Sequence, residues 1–85
     1  MQLWLLRPVE DLPQGDNPWD PWYDKCFGFV VRAASEAEAR QIADAEGFDE
    51  NRGKHKAWLD AKYSTCVALT DTGDPGVIIG DVHSA

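Results

Sequence analysis

Apolar and polar positions along the chain fall into short runs with two different periods. Residues 2–7, "QLWLLR", form an apolar run stopped by Pro8 and predict a first strand. Residues 26–33, "CFGFVVRA", predict a second, with Phe27, Phe29 and Val31 on one face and Cys26, Gly28, Val30 and Arg32 on the other. The period then changes. Ser35 with Glu38 three residues later is a capping box, and Glu36 and Glu38 lie where the helix dipole favours negative charge. Ala39, Ile42 and Ala43 make a narrow stripe of mostly small residues. Gly47 reads as a helix stop with Phe48 folding back on the helix end, so the helix is placed at residues 36–46. Alternation returns over residues 63–70, where Thr65, Val67 and Leu69 interleave with Ser64, Cys66 and Ala68. After the turn signal "DTGDPG", the run "VIIGDV" at 77–82 predicts a short fourth strand.

The predicted order is β-β-α-β-β in one α+β domain covering residues 1–85: a two-layer sandwich with a mainly antiparallel four-stranded sheet and one helix. One helix cannot cover both faces of such a sheet. Phe27, Phe29, Val31, Val67 and Leu69 are expected to face the helix. The other face, with Cys26, Val30, Cys66 and Ala68, then needs other cover or a partner.

Composition narrows the function. A chain of 85 residues buries only about 60% of its unfolded surface, so each large apolar side chain matters. The N-terminal apolar run has no basic residue before it and no small-residue cleavage site, and no apolar stretch approaches the roughly 20 residues of a membrane span. A soluble, cytoplasmic chain is expected. Fifteen acids against eight bases give a net charge of −7, a poor match for direct nucleic-acid binding. Such a surface serves solubility or meets a basic partner. Cys26 and Cys66 read as half-buried thiols, with a cross-strand disulfide left open.

Residues 8–24 stand apart. They hold four of the five prolines and five acids, with no base. Trp19, Trp22 and Tyr23 sit among Asp11, Asp16, Asp20 and Asp24, forming an acidic aromatic loop that extends to residue 25. Loops of this length in small domains tend to be functional or disordered. Trp and Tyr suit interface hot spots, with an apolar body and a polar tip. The competing reading has these rings closing the core. One tryptophan is expected to do so. The other, with Tyr23 and the aspartates, is expected to face outward. Asp11, Asp16, Asp20, Trp19, Trp22, Tyr23 and Asp24 are the candidate partner-binding residues.

Chemistry is otherwise sparse. Cys26, Cys66, His55 and His83 lack zinc-ligand spacing. A Cys66–His pair has no local signature. Asp71 and Asp74 fit turn chemistry better than a calcium loop. No phosphate loop or nucleophile elbow occurs. The expectation is a non-enzyme without metal or cofactor. The basic cluster "RGKHK" at 52–56 reads as a solvated loop, or as a contact for the acidic loop of a second copy.

The run "FGFVVRAASEAEARQIA", with "LLRP", "WDPWYD", "AWLD", "STC" and "PGVI", resembles a family of short uncharacterised bacterial and phage proteins. By size, acidity and lack of catalytic motifs, the chain is also similar to phage anti-CRISPR proteins. That resemblance implies a non-catalytic inhibitor that occupies a basic nucleic-acid-binding surface of a host protein, such as a CRISPR effector complex. The charge balance and the lack of a long apolar stretch add the expectation of no direct contact with nucleic acid and none with a membrane. The alternative is a small bacterial housekeeping or adaptor domain acting through homodimerisation or sheet-face pairing; monomer and homodimer both stay open.

Overall fold

The strand β1 spans Gln2–Pro8 and forms the centre of an antiparallel sheet. β2 (Phe29–Ala33) pairs on one side and β3 (Ser64–Ala68) on the other, in the order β2-β1-β3. Between β2 and β3 run the helix α1 (Glu36–Glu46) and a short 3-10 turn, Asp49–Asn51. This computed structural model describes residues 1–20, 24–53 and 56–77. The expected fourth strand lies outside the described residues except for Val77, so the sheet described is three-stranded, not four-stranded.

The helix occupies the predicted residues for the predicted reason at its start. Ser35 Oγ accepts from the Glu38 N–H at 3.2 Å, and the Glu38 carboxylate accepts from the Ala34 N–H at 2.8 Å. The box therefore closes on the residue before the cap. Its end differs. Gly47 is extended rather than left-handed, and Phe48 is exposed rather than packed on the helix end. Glycine is needed for space: a Cβ there would lie 2.5 Å from Asn51 Nδ2, 2.9 Å from Glu50 Oε2 and 3.1 Å from Trp58 Cδ1.

The helix packs on one face of the sheet through Ala39 and Ala43, which join Leu6, Val31 and Ala33 in the core; Ile42, the third residue of the expected stripe, is 38% exposed and lies outside it. Trp58, Tyr63 and Ala57, from the turns before β3, complete that core with Trp19. Small residues on α1 let it approach closely, and the tryptophans fill what remains.

The face assignment of β3 is inverted relative to the sequence expectation. Ser64 and Cys66 join Leu6, Phe29 and Val31 on the helix side, whereas Val67 is 56% exposed on the other. Phe27 lies before β2 and is also exposed, so it does not face the helix as expected. The cause is Arg40. Its guanidinium donates to Ser64 Oγ at 2.9 Å, to the Ser64 carbonyl at 3.1 Å and to the Trp58 carbonyl at 3.0 Å. Ser64 Oγ in turn donates to the Ala57 carbonyl at 2.7 Å. A serine with every polar group satisfied is acceptable in a core, and its burial turns Val67 outward.

Candidate functional site

The acidic loop begins where β1 ends and is tied to the core at several points. The Val9 N–H donates to the Tyr63 carbonyl at 2.8 Å. Asn17 Oδ1 accepts from the Trp19 N–H at 3.0 Å, a side-chain turn of the kind asparagine forms readily. Trp19 follows at 3% exposure. Its indole Nε1 donates to the Cys26 carbonyl at 2.7 Å, and its ring meets Trp58 edge-on, with centroids 5.3 Å apart. Phe29 meets the same Trp58 edge-on at 5.0 Å. Lys25 Nζ closes the far end on the Trp19 carbonyl at 2.9 Å.

Trp19 is therefore a core residue, as one of the two tryptophans was expected to be, and its ring is not part of the exposed surface of the loop. The apolar ring is worth more in the core of a domain this small than exposed on a loop. Trp22 and Tyr23 lie outside the described residues.

The aspartates divide as well. Asp16 turns inward: Oδ1 accepts from the Tyr63 hydroxyl at 2.8 Å, and Oδ2 pairs with Lys62 Nζ at 3.0 Å. The bonded Asp16 carboxylate holds the Lys62 ammonium above its usual pKa. Burial, then the bond to Asp16, raises that of Tyr63. Asp16 thus acts as a strut between loop and core. Asp11, Asp20 and Asp24 are exposed, as is Glu10. No ion pair among the described residues involves any of the four. Asp11 holds a positive φ of 60°, a conformation aspartate tolerates better than most residues. The Asp24 carbonyl accepts from the Asp49 N–H at 2.8 Å, tying the end of the segment to the 3-10 turn. The structure thus separates the seven candidates into two inward residues, three outward aspartates and two that it does not describe.

One buried acid was not anticipated. Glu50 is fully buried beneath the end of this loop. Its Oε1 accepts from the Cys26 N–H at 2.9 Å, and its Oε2 from the Phe48 N–H at 3.1 Å and from Trp58 Nε1 at 2.6 Å. Three donors converge on one carboxylate, which locks the chain before β2 to the 3-10 turn and to Trp58. No motif in "GFDENR" marks this role, because the donors come from residues 2 to 24 positions away.

Cys26 and Cys66 are both free thiols, as the sequence reading favoured. Burial pushes the Cys66 thiol above its usual pKa, against a smaller lowering by Arg40. A thiol so placed is a poor nucleophile. His55 and His83 lie outside the described residues. Among the described residues no group of three or more His, Cys, Asp or Glu is placed to hold a metal ion. None of their helices is long and apolar enough to cross a membrane.

The sheet has a second surface that sequence reasoning assigned in part. Opposite α1, Leu5 lies between Val30 and Val67, which are 54% and 56% exposed. The expectation that one sheet face needs further cover or a partner picked out Val30 correctly. It also placed Cys26, Cys66 and Ala68 there instead of Val67; Cys26 lies before β2 and, like Cys66, packs against the core, and β3 is inverted for the reason given above. Compared with known proteins, the chain matches no family model, no curated protein and no solved structure.

Proposed function

We propose that this protein is a small, non-enzymatic binding domain that uses its acidic loop to occupy a basic, nucleic-acid-binding surface of a protein partner, in the manner of anti-CRISPR inhibitors. The observation that supports this reading is the division of labour within the loop. Trp19 and Asp16 anchor it to the core, while Asp11, Asp20 and Asp24 stand exposed. Carboxylates on a backbone ordered before binding lose less entropy on docking than those on a disordered tail. They also speed encounter with a cationic surface and discriminate against acidic ones. A CRISPR effector complex, with its positively charged nucleic-acid channel, is the partner class proposed.

The test is competition. The protein is titrated into a panel of purified CRISPR effector complexes carrying labelled target DNA, beside the triple variant Asp11→Asn, Asp20→Asn, Asp24→Asn. The wild-type chain is expected to displace DNA from at least one complex, and the triple variant to do so about tenfold less well or worse. The reading is discarded if no complex is affected and affinity capture from host lysate returns the same proteins for both chains.

A further inference from the structure

The three strands carry no acid. β1, β2 and β3 contain Arg7 and Arg32 but neither aspartate nor glutamate, in a chain with 15 acids and 8 bases. Strand alternation sends Leu3, Leu5 and Arg7 to the face opposite α1, together with Val30 and Arg32 of β2 and Thr65 and Val67 of β3. Arg32 pairs with Leu3 at one end of this face, and Arg7 pairs with Thr65 at the other. The Arg7 stem lies over Gly28, where an added Cβ would meet Arg7 Cδ at 3.3 Å. The result is an apolar strip, centred on Leu5, with a guanidinium at each end.

We propose that this face docks an acidic amphipathic helix of a partner protein, as a second surface independent of the acidic loop. Its dimensions suit one helix. Three strands about 4.8 Å apart are roughly 10 Å across, the diameter of a helix with its side chains. Five paired residues at about 3.3 Å each run about 17 Å, the length of roughly 11 helical residues. The opposite face of the same strands packs against an 11-residue helix, α1. A partner helix with apolar residues at i, i+3, i+4 and i+7 would cover Leu5, Val30 and Val67. Carboxylates near its ends would meet Arg7 and Arg32, and arginine binds them bidentately. A second copy of this chain fits less well. Each end of the strip holds an arginine, so either two-fold stacking of two such faces brings arginine-bearing ends together, with no acid on the strands to separate them.

The probe is a synthetic 14-residue peptide with leucines at helical spacing flanked by glutamates, compared with the same peptide carrying lysine at each glutamate. Backbone amide shifts of the protein are followed by 1H–15N NMR. The glutamate peptide is expected to move Leu3, Leu5, Val30, Arg32 and Val67. The lysine peptide, and the protein variant Arg7→Glu, Arg32→Glu, are each expected to bind about tenfold more weakly. The Val30→Ser, Val67→Ser protein is expected to lose binding while its thermal unfolding stays near wild type, because both side chains are exposed. The Asp11, Asp20, Asp24 triple variant should bind the glutamate peptide unchanged, so this surface and the acidic loop can fail separately. Equal affinity for the two peptides, shifts confined to other residues, or no binding would each overturn the proposal. So would sedimentation showing a dimer that Val30→Ser, Val67→Ser dissociates, since the occupant would then be a second copy.

Discussion

Trp58 Nε1 donates a 2.6 Å hydrogen bond to Glu50 Oε2, and both side chains are fully buried. Trp58 also receives Trp19 and Phe29 edge-on, so one indole joins the acidic loop, β2 and the 3-10 turn. Replacing Glu50 by Gln retains one acceptor oxygen but sets an amide NH2 against N–H donors. A loss of about 1–3 kcal/mol is expected, read from the urea midpoint. Glu50→Ala leaves three donors unmet as well as a cavity and should be the more damaging. Equal stability of wild type and Glu50→Gln would show that the carboxylate is not holding this junction.

Trp19 should behave as a core residue. Trp19→Ala is expected to cost about 3–5 kcal/mol, a large share of the stability of a domain this size. Trp19→Phe keeps most of the apolar area and loses the bond to the Cys26 carbonyl, so it should cost less. Thermal unfolding followed by near-UV circular dichroism measures both. A Trp19→Ala protein with wild-type melting would place this ring outside the core.

Gly47 and Gly53 should respond oppositely to alanine. At Gly47 the new methyl meets Asn51, Glu50 and Trp58, and overpacking costs about 1–3 kcal/mol. At Gly53 nothing lies within 4 Å, so alanine is expected to be neutral or slightly stabilising. Melting temperatures of the two variants, compared side by side, decide this.

The strut of Asp16, Tyr63 and Lys62 gives an alkaline dependence. Both Lys62 and Tyr63 hold their protons more tightly in the folded chain, for the causes given above. From about pH 10 upward the folded state therefore binds more protons than the unfolded one, and stability falls as pH rises. Below that range the contribution is fully present. Tyr63→Phe removes one of the two groups, and Asp16→Asn removes the charge that raises both. Urea midpoints between pH 8 and pH 11 (about the span in which these groups titrate) should decline less steeply in each variant than in wild type. An unchanged slope in both would remove the strut from the account.

The helix was the most legible element because its signals are local. Ser35 and Glu38 act within one turn and set the start at Glu36. Gly47 was correctly read as a stop but for another physical reason, since its neighbours Asn51, Glu50 and Trp58 arrive through tertiary folding. β1 was legible as an apolar run and β2 and β3 from period-two alternation, and their antiparallel pairing agreed with the expectation. The acidic loop was visible as a composition, but its internal division was not. Nothing in "DNPW" distinguishes Asp16, which reaches Tyr63 and Lys62, from Asp20, which points to solvent.

By itself, the sequence determined which segments are helical or extended and where the helix starts, because capping and alternation act between near neighbours in the chain; the strand ends shifted, with β2 beginning at Phe29 rather than Cys26. Tertiary structure decided which way each element faces. Alternation in β3 groups Ser64 with Cys66 and Thr65 with Val67, yet it is silent on which pair is buried. Arg40, 24 residues before Ser64, settles that by satisfying the serine in the core. Packing likewise drew Trp19 and Glu50 inward, because their partners Cys26, Phe48 and Trp58 surround them only after β2, the 3-10 turn and the residues before β3 have come together.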